Sequence, residues 1–289
     1  MHVDTTRAIL AIGGEQRSEF LQGLLTQDLT LLRADRGAFA ALLSPQGKIL
    51  HTLFLLPHGD TIFVDCVAAE KDLLLKRLTM YKLRAKVSIA DASAQWQVAY
   101  RIRAQHPAIG HLTTKKHLLV LTDPRAAELG ERLYIEADAF RPQGTVDMAS
   151  YRAHRIRLGI PAATDLHDET AIDAGLDALN GVSFSKGCYV GQEVTARMHY
   201  KQINRRGFFV VEGAQALPAE AALLAHGETL GTLRSAEGTH ALALLKFEQA
   251  EPCLNGLRTA SVDNQPVRLH VPAWLQPKLA QFRALHENQ

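Results

Sequence analysis

This sequence has no long apolar run, no paired cysteines and almost no imbalance of charge, and each absence removes a class of protein. Its apolar stretches, such as Leu53–Leu56, are strand-sized, far short of the ~18–20 residues a membrane-spanning helix needs. No basic segment followed by an apolar one opens the chain, so no secretion signal is expected. Cys66, Cys188 and Cys253 are the only cysteines in 289 residues, and no C-x-x-C occurs. That excludes a zinc ribbon or a dithiol redox motif and predicts a reduced, cytoplasmic protein. Thirty-two Lys and Arg stand against thirty Asp and Glu, a net charge of +2, which argues against direct nucleic-acid binding.

Several chemical signatures are missing as well. There is no G-x-x-x-x-G-K-[ST], no G-x-G-x-x-G after a strand and no H-E-x-x-H, and the thirteen histidines show no metal-ligand spacing. Ser183-Phe184-Ser185-Lys186 matches the S-x-x-K of penicillin-interacting enzymes, but the S-D-N and K-T-G elements that accompany it are absent.

What is present is a 47% hydrophobic chain long enough for two domains. Strands are predicted at Arg7–Ile12, Ala38–Leu43, Lys48–Leu56, Thr61–Asp65 and Lys86–Ile89, with a turn at Ser44-Pro45-Gln46-Gly47. Helical spacing occurs at Phe20, Leu21, Leu24 and Leu25, and again at Leu73, Leu74, Arg77, Leu78 and Tyr81. This order predicts an α+β domain with an antiparallel sheet. Further strands are expected at Gln95–Ile102 and His117–Leu121, a helix soon after the breaker Asp123-Pro124-Arg125, a helix over Val146–Leu158 and a long acidic loop over Ala162–Ala178. Short strands at Phe208–Val211, Ala222–Ala225, Thr229–Arg234, Leu242–Leu245 and Val267–Val271 predict a small C-terminal barrel or sandwich. The division falls near Arg205-Arg206-Gly207, giving domains over 1–206 and 207–289.

One segment stands out: Lys186-Gly187-Cys188-Tyr189-Val190-Gly191-Gln192-Glu193. Two glycines bracket a cysteine, and the pattern predicts a tight loop entering a helix at about Gln192. A thiol beside a cation or a helix start is a nucleophile, a redox centre or a soft metal ligand. The competing reading is a small buried hydrophobe.

This segment resembles the K-G-C-Y-x-G-Q-E signature of the YgfZ-like folate-binding proteins. Phe20-Leu21-Gln22-Gly23-Leu24-Leu25-Thr26-Gln27-Asp28 is similar to that family's F-L-Q-G-x-x-T-N-D, and Tyr81-Lys82-Leu83-Arg84-Ala85-Lys86-Val87 to its Y-x-L-R-x-K-V. The likeness spans about residues 7–206. It implies an α+β, T-protein-like multidomain fold with antiparallel sheets and a small C-terminal β-barrel. It also implies tetrahydrofolate, or another reduced folate, as cofactor. The implied role is that of an accessory factor for assembly or repair of iron–sulfur enzymes, with tRNA modification affected indirectly. Its partners would be the iron–sulfur assembly machinery or client enzymes, with no membrane, in the cytoplasm or, in a eukaryote, the mitochondrial matrix. A folate needs a slot for the flat pterin, hydrogen bonds to its edge and a cation for its glutamate tail. Tyr81, Arg84, Tyr189, Glu193 and Arg197 are of types suited to those contacts and fall in the segments that carry the resemblance; the competing readings are a tyrosine closing a helix, arginines solvated or paired and a glutamate favouring a helix start. Lys186, Gly187, Gly191 and Gln192 make the signature loop, with a redox or transient-ligand role for Cys188.

Three cysteines so far apart do not make the four thiolates of a stable cluster site, so no resident metal is expected. The alternatives are a folate-dependent aminomethyltransferase, as in the glycine-cleavage T-protein, or a one-carbon demethylase on the same fold. The sequence departs from the family at Gln27, where Asn is usual, at Ile172-Asp173-Ala174, where many relatives have Pro-x-Glu, and at Tyr200-Lys201-Gln202, which lacks a common glycine.

Overall fold

Strand β1 (Arg7–Gly13) lies inside a five-stranded antiparallel sheet with β2 (Ala38–Leu43), β3 (Ile49–His58), β4 (Thr61–Val67) and β5 (Ser88–Asp91), in the order β2-β3-β4-β1-β5. The computed structural model describes residues 2–139, 142–201 and 205–286. Strands β1–β4 are buried along nearly their whole length, which is why they read as continuous apolar runs rather than alternating ones. One face, with Leu10, Ile12, Leu42, Leu53, Leu55 and Val64, packs on Leu21 of helix α1 (Arg17–Gln22) and on Leu74 and Leu78 of α2 (Lys71–Lys82).

A second antiparallel sheet, in the order β6-β9-β8-β7, is built from β6 (Trp96–Arg101), β7 (Leu112–Lys115), β8 (Leu118–Thr122) and β9 (Glu131–Glu136). The expected helix after Asp123-Pro124-Arg125 is not there. Only a single turn, Ala127–Leu129, precedes β9. Strand β9 carries Arg132 and Tyr134 into the interior, where both donate to Asp65 Oδ2 (2.6 and 2.8 Å) while Arg7 Nε donates to Asp65 Oδ1 (2.7 Å). The Arg132 guanidinium also stacks 3.6 Å from the centre of the Phe54 ring. Burial alone would raise the Asp65 carboxyl, but the guanidiniums of Arg7 and Arg132 outweigh it and hold its pKa below the ordinary value. One carboxylate thus ties the two sheets together.

The remaining elements are α3 (Met148–Arg157), α4 (Gln192–Tyr200), strands β10 (Arg206–Gly213), β11 (Ala222–Ala225), β12 (Glu228–Glu237), β13 (His240–Lys246), helix α5 (Phe247–Leu254), β14 (Ala260–Val262), β15 (Gln265–His270) and α6 (Gln276–His286). The six strands close into an antiparallel barrel in the order β10-β13-β12-β11-β14-β15, so no edge is left unpaired. Its core includes Phe209, Val211, Leu223, Leu233, Leu245 and Phe247, with Leu279 and Phe282 of α6 packed on it. The segment expected to be an irregular loop holds a short turn, Ala163–Leu166. Two of its acids have partners in the same unit: Asp165 accepts from Ser235, and Glu169 pairs with Arg206 and Arg234.

The α+β class, the antiparallel sheets and the barrel are those expected. The chain forms two compact units, residues 1–148 with 179–196 and residues 149–178 with 197–289. The signature loop belongs to the first and the barrel to the second.

Candidate functional site: a clamped loop presenting a thiol

Thr26, in the turn after α1, anchors the glycine-rich loop. Its hydroxyl donates to Gly181 O (2.5 Å) and accepts from Ala41 N (2.8 Å), and its carbonyl accepts from Ser183 N (2.9 Å). Next to it, Gln27 Nε2 donates to Asn180 O (2.6 Å). The two stretches that carry the resemblance are therefore physical complements, although Thr26 and Gly181 are 155 positions apart. Gln27 makes this contact at a position where the family usually has Asn.

Lys186 closes the clamp. Its side chain is buried, and Nζ donates to the carbonyls of Gln22 (2.7 Å), Leu25 (2.6 Å) and Gln27 (3.0 Å). An ammonium has three donors, and all three are used on carbonyls at or just beyond the end of a short helix. Burial pulls this amine down to about 8, against the opposing pull of Asp28, so it is still cationic at neutral pH. The charge lies 5.2 Å from the centre of the Tyr189 ring. Tyr189 is itself only 7% exposed, and burial pushes its phenol up to about 12, with a hydrogen bond involving Thr195 opposing.

Between these two inward-facing side chains, Cys188 is exposed, which removes the buried-hydrophobe reading. Cys66 is the contrary case: it lies in the helix-side core, where burial pushes its thiol up to about 12. Cys253 is half-buried, and burial raises it too. Cys188 is thus the one exposed thiol of the three. Among the described residues, no three His, Cys, Asp or Glu side chains converge as ligands for a metal ion.

The bracketing glycines are not equivalent. Gly191 has φ +80°, and a Cβ there would stand 2.6 Å from Ser44 O and 2.9 Å from Leu43 Cβ, so both conformation and space demand glycine. Gly187 has no positive φ and nothing within 4 Å of where a Cβ would be. Helix α4 then begins at Gln192, as expected, and Val194 packs against Gly47 in the β2–β3 turn.

The residues assigned to a folate fall in separate places. Tyr81, in the last turn of α2, and Arg84 just beyond it are exposed. They lead to Lys86, whose N donates to Gln16 Oε1 (2.7 Å) at the start of α1. Lys186 holds the other end of that helix, and six helical residues at ~1.5 Å each separate the two ends by about 9 Å. Glu193 and Arg197 are exposed one turn apart on α4. Tyr189 stands apart from these four because its ring is covered. Ile172 and Ala174 are buried, and Asp173 accepts from Thr170 Oγ1 (3.0 Å); Gln202 lies outside the described residues. Thr26 lies in a segment that carries the resemblance, but its anchoring contacts are not legible until Gly181 and Ala41 are placed beside it.

Two antiparallel sheets, helices packed on the first of them and a closed C-terminal barrel make an aminomethyltransferase-T type of fold. The solved glycine cleavage system aminomethyltransferase T from Bartonella henselae superposes with a TM-score of 0.67 over 93% of this chain and 83% of that one, at 13% identity. That likeness is one of fold. Residues 205–277 match the family model for the CAF17 C-terminal β-barrel domain. The mitochondrial iron–sulfur cluster assembly factor IBA57 of Homo sapiens is 30% identical, and that of Mus musculus 31%, each over 93% of this chain and 83% of the relative. The chain belongs to the IBA57 family of iron–sulfur cluster assembly factors.

Proposed function

We propose that this protein binds tetrahydrofolate and acts as an accessory factor in the assembly or repair of iron–sulfur enzymes, with tRNA modification affected only through iron–sulfur modifying enzymes. The observation that carries this reading is the exposed thiol of Cys188 on a loop pinned by Lys186. A thiolate is the form that binds iron or attacks sulfur. Four thiolates normally hold a cluster, and Cys66 is sealed in the core. Cys188 therefore acts in company, as a transient ligand to a cluster that a partner of the assembly machinery or a client enzyme also holds. The cluster is cargo.

The folate part of the reading is supported by residue chemistry. Tyr81 offers a partly exposed aromatic face with the cation of Arg84 close after it in the chain, and on α4 Glu193 offers a carboxylate for the pterin edge and Arg197 a cation for a glutamate tail. Tyr189, already covered, positions the loop instead.

Binding linkage gives the test. At about a hundred times the dissociation constant, tetrahydrofolate adds about 2.7 kcal/mol of stability, and a thermal melt is expected to shift upward by several degrees. Arg84→Ala combined with Arg197→Ala is expected to abolish the shift without lowering the melting temperature of the free protein. No shift of the wild-type protein at millimolar tetrahydrofolate would overturn the folate assignment. Turnover of an aminomethylated, lipoyl-bearing carrier protein would instead favour the aminomethyltransferase alternative.

A further inference from the structure

Eight large apolar side chains stand exposed among the described residues, and Leu73, Met80, Tyr81 and Leu83 are four of them. Leu74 and Leu78 turn inward to the sheet, so the opposite face of α2 carries Leu73, Lys76, Arg77 and Met80 at the i, i+3, i+4, i+7 spacing of a single stripe. Leu73 is 50% exposed and Met80 67%. Beyond the helix Leu83 is 87% exposed with φ +45° and ψ −109°. That backbone is unfavourable for a branched side chain, and strain of this kind collects where a residue is held for use.

The charge around the stripe is predominantly positive. Between residues 71 and 86 the only acid is Asp72, against Lys71, Lys76, Arg77, Lys82, Arg84 and Lys86. Lys71 is paired with Asp91 and Lys86 with Glu15. Among the described residues no carboxylate pairs with Lys76, Arg77, Lys82 or Arg84, and Arg77 Nε is shielded from water without a hydrogen-bond partner. An apolar stripe interleaved with unpaired cations complements a surface of opposite sign with apolar residues at its centre.

We propose that the outer face of α2, from Leu73 through Met80 to Leu83, is a docking surface for an acidic partner protein that presents apolar side chains flanked by carboxylates. This surface does not rest on the role of Cys188 or on folate binding, although Tyr81 and Arg84 at its end are also the residues offered to a folate. A protein occupant is favoured over RNA because Leu73, Met80 and Leu83 are aliphatic and Tyr81 is a single ring, whereas single-stranded nucleic acid is held on successive aromatic platforms.

The test uses the full chain and a short synthetic helix with leucines on one face and glutamates on the other, followed by fluorescence anisotropy. The acidic helix is expected to bind about tenfold or more tightly than the same helix with lysines for glutamates, and to weaken as salt is raised. Leu73→Ala with Met80→Ala, and separately Lys76→Glu, is expected to weaken binding by about tenfold while leaving the thermal melt unchanged. Equal binding of the two helices by the wild-type protein would overturn the proposal without any variant having to fold. So would unchanged binding in the variants, or preferential binding of duplex RNA or of phosphatidylserine vesicles.

Discussion

Replacing Asp65 by alanine is expected to cost about 3–5 kcal/mol of stability, because removing one member of a buried ion pair leaves its partner charged and uncompensated. Here Arg7 of β1 loses its counter-ion, Arg132 of β9 loses its close one and keeps the more distant Asp123 (3.8 Å), and Tyr134 loses its acceptor. The loss falls between the two sheets of the first unit. Urea titration of wild-type and variant protein reads it as a lowered midpoint. The pH dependence has a definite sign. The folded pKa of Asp65 lies below the ordinary value, so its contribution is complete above the unfolded pKa of about 4. That contribution is lost as pH falls through the depressed folded value. The wild-type protein is therefore expected to lose its advantage over Asp65→Ala in acid, and a gap between them that stayed constant down to strong acid would contradict this assignment.

Lys186→Met is the second large effect. Methionine keeps the apolar stem but leaves the carbonyls of Gln22, Leu25 and Gln27 without the donor that each now has. Buried polar groups stripped of a partner cost about 1–3 kcal/mol each, less where water can enter, and a total of roughly 2–4 kcal/mol is expected. Lys186→Arg is expected to rescue only part of it, since a planar fork cannot aim three donors at three carbonyls gathered around one point. Hydrogen exchange locates the damage. Protection of Ser183 N and of the start of α4 is expected to fall further than protection of the β1–β4 ladder. Loss spread evenly over the sheet would show that Lys186 supports the core and not the loop.

These two residues also show where the sequence is readable and where it is not. The turn at Ser44–Gly47, the α2 helix, most barrel strands and the helix start at Gln192 follow from local pattern, because glycine placement and hydrophobic period are local properties. Strand β9 does not, since Glu131 and Arg132 make its first half look solvated. Its burial depends on Asp65, which is supplied by a strand far back in the chain. Helix α5 is obscured by Pro252 inside it. At the site, the loop and its thiol were legible from Gly191 and Cys188, whereas the inward direction of Lys186 and Tyr189 was not. A lysine's three donors declare no partner until Gln22, Leu25 and Gln27 are brought around them. Gly187 errs in the other direction, since its backbone and surroundings make no demand for glycine.

Iron–sulfur enzyme activity in cells tests most directly whether Cys188 works as a thiol displayed to partners. In cells whose own copy is replaced by Cys188→Ala, that activity is expected to fall to the level of cells lacking the protein, with the variant's abundance and melting temperature unchanged. Wild-type enzyme activity in those cells would contradict the account.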